Sequence, residues 1–112
     1  MILQQIEFAR NVALLINFIF SSGYYCTLGE AFRTKEQALI NAQRHIGILD
    51  SQHRDRLAID LNLFSQKREY LNKSEDYLLI GKYWESLSKF NKWGGRSKKL
   101  PDGNHFEMKD PV

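Results

Sequence analysis

Apolar residues recur at three- and four-residue steps from Leu3 to Phe20, the spacing of one helical face. Ile6, Ala9, Ala13, Ile16 and Phe20 lie on that stripe and form the expected inner face, and Ser21-Ser22-Gly23 ends the helix. Tyr24 to Leu28 (YYCTL) then reads as a strand, rich in aromatic and β-compatible residues, with Gly29 to Arg33 leading out of it. Thr34 with Gln37 three positions on matches a capping box and predicts a second helix to about Ile46, with Ala38, Ala42 and Ile46 facing inward. After a polar connection, Gly47 to Arg56, the period changes. Leu57 to Phe64 (LAIDLNLF) alternates, which puts Leu57, Ile59, Leu61 and Leu63 on one face of a strand and Ala58, Asp60 and Asn62 on the other.

Ser65 to Lys73 is polar and basic and reads as a turn or hairpin. Ser74 followed by Glu75 and Asp76 is a capped, dipole-matched helix start, and that helix runs to about Ser88 with Tyr83 and Trp84 expected in the core. Trp93-Gly94-Gly95 and Arg96 to Gly103 read as a loop, and His105 to Met108 (HFEM) as a short last strand. No repeat or interdomain linker interrupts the pattern. The expectation is one domain spanning residues 1–112, of α+β class, a small antiparallel sheet with helices packed on it.

Composition changes this picture only at a few points. The chain of 112 residues is 43% hydrophobic and 26% charged, in the ordinary globular range. Its single cysteine, Cys26, excludes an internal disulfide and is expected as a small buried apolar group. The apolar run Val12 to Phe20 is shorter than the roughly 20 residues that span a bilayer, and no small-residue cleavage site follows it. Neither a signal peptide nor stable membrane insertion is expected. A net charge of +3 suits an anionic polymer such as a cell wall, and suits plain solubility equally well. The basic residues are scattered rather than gathered on one face with exposed aromatics, which argues against a nucleic-acid partner.

Two segments carry candidate chemistry. In Ser51-Gln52-His53 through Asp60, the carboxylate of Asp60 points away from the leucine face, and His53 lies in the turn that feeds the strand. In Asp102-Gly103-Asn104-His105-Phe106-Glu107, His105 and Glu107 share one face of the last strand and Asp102 sits in the turn before it. Two histidines and one carboxylate make a catalytic zinc set with a fourth position left for water. Zinc lowers the pKa of that water, and a further carboxylate, Asp102 or in reserve Glu107, then acts as acid and base. On residue types alone, surface histidines and a solvated aspartate account for these segments as well. His45, near the end of the second predicted helix, suits the helix dipole rather than a metal.

The pattern Ser51-x-His53-x-x-x-x-Ala58-x-Asp60 resembles the first zinc motif of the D-alanyl-D-alanine carboxypeptidase and L-alanyl-D-glutamate endopeptidase family of metallopeptidases. Asp102-x-x-His105, preceded by Trp93-Gly94-Gly95 and followed by Phe106-Glu107, resembles the second motif of its phage and cell-wall branch. Glu30 to Gln37 (EAFRTKEQ) is similar to the family's arginine-bearing segment. The three segments extend from about Thr27 to Glu107, in the family's order and separation.

The resemblance implies a zinc-peptidase fold of the Hedgehog and DD-peptidase type. It implies one zinc ion held by His53, Asp60 and His105, with Asp102 as catalytic acid/base and Arg33 polarising the substrate. Ser51 would orient the metal-binding turn or touch substrate, and Trp93 would shape the cleft or anchor its loop. The family usually has glycine where this chain has Arg56, so a different loop or a basic cleft edge is expected there. The implied substrate is a peptidoglycan stem peptide, cut by a monomer that acts at the wall after release from the host cytoplasm, as phage endolysins do. A non-catalytic, zinc-binding relative serving as a virion or wall-binding part is the alternative, and Asp102 beside His105 speaks against it.

Overall fold

The computed structural model describes residues 2–33 and 57–109. The predicted helix from Thr34 to Ile46 and the connection after it, with His45, Ser51, His53 and Arg56, lie outside the described residues. The rest is an α+β arrangement in which a small antiparallel sheet carries helices on one face.

Helix α1 spans Ile2–Ser21, close to the expected bounds. Its inner face differs from the expected one. Leu15 and Ile19 are fully buried and Asn11 nearly so, with Phe8, Val12, Ile16 and Phe18 packed beside them. Of the residues expected inside, Ile6 and Phe20 are about half exposed, Ala9 and Ala13 are exposed, and only Ile16 touches the core. The helix is apolar on much of its circumference, so periodicity offers two stripes. The stripe that packs includes the polar Asn11, which disguised it.

Strand β1 spans Tyr25–Arg33, longer than expected, because the chain passes Gly29 and Glu30 as an irregularity in the ladder rather than leaving the sheet. Strand β2 is Leu57–Phe64, as read from the alternation, and its Leu57, Ile59, Leu61 and Leu63 are all buried. A two-residue strand, β3 (Tyr70–Leu71), folds back on Leu63 and Phe64, so the basic turn is a hairpin.

The next helix begins as a 3-10 turn, Ser74–Tyr77, and continues as α2, Leu78–Leu87. Ser74 is not its cap. Lys73 holds that position, with its N–H donating to Asp76 Oδ2 at 3.4 Å, while Ser74 Oγ accepts from the Gly103 N–H at 3.0 Å. Strand β4, Asn91–Trp93, takes in Trp93, expected in a loop, and is followed by a 3-10 turn, Gly94–Arg96. Its partner is the last strand, β5, His105–Met108.

All pairings are antiparallel, in the order β1-β2-β5-β4. The core forms where α1 and α2 meet the sheet. Trp84, at zero exposure, packs edge-on to Phe8 and Phe106, and Tyr83 stacks on Phe18. Cys26 is half-buried against this core, and burial pushes its thiol pKa up. Among the described residues, no helix is long and apolar enough to cross a membrane.

Candidate active site

Sheet register brings the chemistry together. Asp60 on β2 stands directly opposite His105 on β5, and Ala58 stands opposite Glu107. Alternation along β5 buries Phe106 and Met108 on the helix side and leaves His105 and Glu107 half-buried on the other. Residues 45 apart in sequence thus meet because two strands share one ladder.

The His105 ring is held at both ends. Its Nδ1 lies 3.0 Å from Asp60 Oδ1, and its Nε2 lies 2.9 Å from Glu107 Oε1. These bonds raise the His105 pKa above the ordinary 6.5, the Glu107 bond contributing most, burial opposing it, and the Asp60 bond adding to it.

Asp102 reaches the same place by a turn. Its backbone N–H donates to Gly94 O at 3.1 Å, and its carbonyl accepts from the His105 N–H at 3.1 Å. Gly94 allows this close approach: a side-chain carbon there would run into Asp102 O and come within 2.9 Å of His105 Cβ. Leu61 N–H donates to Asn104 O, so the Asp102–Asn104 loop lies where β2 changes partner from β5 to β3. The loop is braced by the Ser74–Gly103 bond and by the Asn104 amide on Asn62 Oδ1 at 3.2 Å.

Two clefts flank this centre. One, of about 190 Å³, is polar and is bordered by Tyr70, Asn72, Ser74 and the exposed Asp102. The other, of about 320 Å³, is bordered by Glu107 and by three cationic residues, Lys92, Arg96 and Lys109. Those three were not singled out in the sequence, where they look like ordinary surface charge. Lys92 joins the site only through its cross-strand pairing with Glu107. Arg96 is fixed by Glu85, through Nε at 3.1 Å and Nη2 at 3.0 Å, and lies over the Trp93 ring.

The structure therefore brings together Asp60, His105 and Glu107, with Asp102 one turn away. Trp93 is buried beneath them, and its indole N–H donates to Gly103 O at 2.7 Å. The backbone of Arg33 pairs with Leu57, three residues along β2 from Asp60, which is roughly 10 Å at strand rise. Among the described residues, no group of three or more His, Cys, Asp or Glu side chains is placed to hold a metal ion.

A family model described as D-alanyl-D-alanine carboxypeptidase matches residues 47–108, a segment that contains Asp60, Asp102, His105 and Glu107. Among solved structures, the L-Ala D-Glu endopeptidase ChiX of Serratia marcescens superposes with a TM-score of 0.55 at 18% identity, over 89% of this chain and 76% of that one. At that identity the likeness concerns the fold. No curated protein matches the chain in sequence.

Proposed function

Because the chain belongs to the D-alanyl-D-alanine carboxypeptidase family, we propose that it is a zinc-dependent hydrolase of amide bonds in peptidoglycan stem peptides. The L-alanyl-D-glutamate bond is the first choice, in keeping with the name of the structurally similar endopeptidase, and a D-alanyl bond is the second. Trp93-Gly94-Gly95 and Asp102-x-x-His105-Phe106-Glu107 favour the phage-type branch. The observation that carries the reading is the Asp60–His105 pair, set in register on adjacent strands within the family-matched segment.

The pair fits a divalent cation. Each nitrogen of the His105 ring faces a carboxylate, and the metal-free ring answers both only when it carries a second proton. A cation in place of the Nδ1 proton answers Asp60 and the Nδ1 lone pair together. Two ligand atoms on tetrahedral zinc stand roughly 3.4 Å apart. The observed 3.0 Å therefore needs to open by only a few tenths of an ångström. His53 is the proposed third ligand.

Bound there, zinc would supply Lewis acidity toward the scissile carbonyl and ease the ionisation of a water. The chain's own residues do the rest. The Asp102 carboxylate accepts the proton of the attacking water and delivers it to the leaving amine. Arg33 offers its guanidinium to the developing oxyanion. Ser51 touches substrate. Trp93, buried with only an edge on the cleft, acts by holding the Gly103 carbonyl and with it the Asp102 loop.

The test is metal content together with digestion of defined peptidoglycan by wild type, His105→Ala and Asp102→Asn. Wild type is expected to carry about one zinc and to cleave one type of amide bond. Asp102→Asn keeps the metal and loses cleavage, and His105→Ala loses both. A folded wild type that takes up no zinc overturns the metal, and a zinc-loaded wild type inert on every wall type overturns the enzyme.

A further inference from the structure

We infer that Glu107 is a positioning residue for His105 rather than a proton carrier, an inference that rests on the zinc reading above. Two strand positions separate the residues, so both side chains rise from the same face of β5, and their meeting at 2.9 Å engages Nε2. Asp60 engages Nδ1 at the other end of the ring. The two carboxylates thus have different offices. The one at Nδ1 is placed to share a cation with the ring, and the one at Nε2 is placed to accept the remaining N–H.

The surroundings of Glu107 support this division. Its cross-strand neighbour on β2 is the small, buried Ala58, and on β4 it is Lys92, of opposite charge. Its side chain is 15% exposed and that of His105 is 19% exposed. Partial burial strengthens a charge-assisted hydrogen bond and makes its loss costly. A carboxylate fixed on Nε2 selects the tautomer that presents the Nδ1 lone pair, orients the ring and raises its basicity as a ligand. The same placement leaves Glu107 unsuited to acid/base work. A proton carrier would have to serve the Nδ1 end of the ring, where a cation shared with Asp60 would be held, and Glu107 lies at the Nε2 end. That work is left to Asp102.

The experiment measures zinc affinity by chelator competition for wild type, Glu107→Ala and Glu107→Gln, with circular dichroism to confirm the fold. It also follows the His105 ring N–H by NMR in the zinc-loaded proteins. Glu107→Ala is expected to bind zinc about 10–100-fold more weakly, the range for loss of such an outer partner. Glu107→Gln, whose amide oxygen still accepts from Nε2–H, should recover most of that loss. The ring N–H should be protected from exchange in wild type and in Glu107→Gln, and unprotected in Glu107→Ala. Wild-type affinity in Glu107→Ala overturns the positioning role alone, as does an equal loss in both variants, which would point to net charge. Absence of zinc binding by wild type overturns the metal reading and this inference with it.

Discussion

The indole of Trp93 lies so close to the Cα of Gly81 that a side-chain carbon at position 81 would run into its ring. Gly81 sits inside α2, where glycine is unfavourable by about 1 kcal/mol relative to alanine. Packing reverses that preference. Gly81→Ala is therefore expected to destabilise the fold by about 1–3 kcal/mol, the usual cost of overpacking, net of the propensity gain. Trp93→Phe should cost a similar amount, since it strands the buried Gly103 carbonyl. Denaturant unfolding of both variants checks this, and wild-type stability in Gly81→Ala would mean that the ring moves aside freely.

The choice of inner face on α1 is open to direct test. Leu15→Ala removes a fully buried side chain and should cost about 2–5 kcal/mol. Ile6→Ala, on the stripe that periodicity favoured, removes a side chain already 52% exposed and should stay within about 1 kcal/mol. Thermal melts of the two variants, compared side by side, decide between the stripes.

Tyr77 ties β2 to β3. Its hydroxyl accepts from the Leu63 N–H at 2.9 Å and donates to Leu71 O at 2.7 Å. Burial is the main cause that pushes its pKa from 10.0 up to about 12. Above pH 10 the unfolded chain releases this proton while the folded chain keeps it, so unfolding gains a proton-release term. Stability from this group is complete below about pH 10 and is lost as pH rises toward about 12. Tyr77→Phe should start about 1–3 kcal/mol less stable, because the Leu63 N–H loses its acceptor, and should show a shallower alkaline decline. Urea titrations between neutral and alkaline pH provide the measurement.

In zinc-free protein His105 gives a second pH signature. Its pKa is raised, first by Glu107 and then by Asp60 against opposing burial. The folded state therefore holds this proton after the unfolded state has released it. The resulting stability is complete below about pH 6.5 and falls as pH climbs through the folded value. His105→Ala should flatten that decline. Its persistence in the variant would assign it to another group.

Local pattern was enough to place β2, β5 and α1 within a residue or two, because strict alternation and helical spacing reflect which side faces water. It also put Asp60 on the face opposite the leucines and paired His105 with Glu107 on one side of β5. Longer-range outcomes were not legible locally. β4 is only three residues long, and Asn91–Trp93 is extended because β5 offers it a ladder, not because of any propensity of its own. Ser74 looks like a cap in isolation, yet Gly103 claims its hydroxyl.

The chain by itself determined the residue types, their spacing and the family motifs, since those are properties of the order of residues. Tertiary structure alone decided that Asp60 faces Nδ1 and Glu107 faces Nε2 of the same ring. That division depends on the β2–β5 register, and a shift of one residue would turn Asp60 to the helix side of the sheet. The register is set by burying Ile59, Leu61 and Phe106 together beneath α1 and α2. The hydrophobic core on one face thus dictates which charges meet on the other.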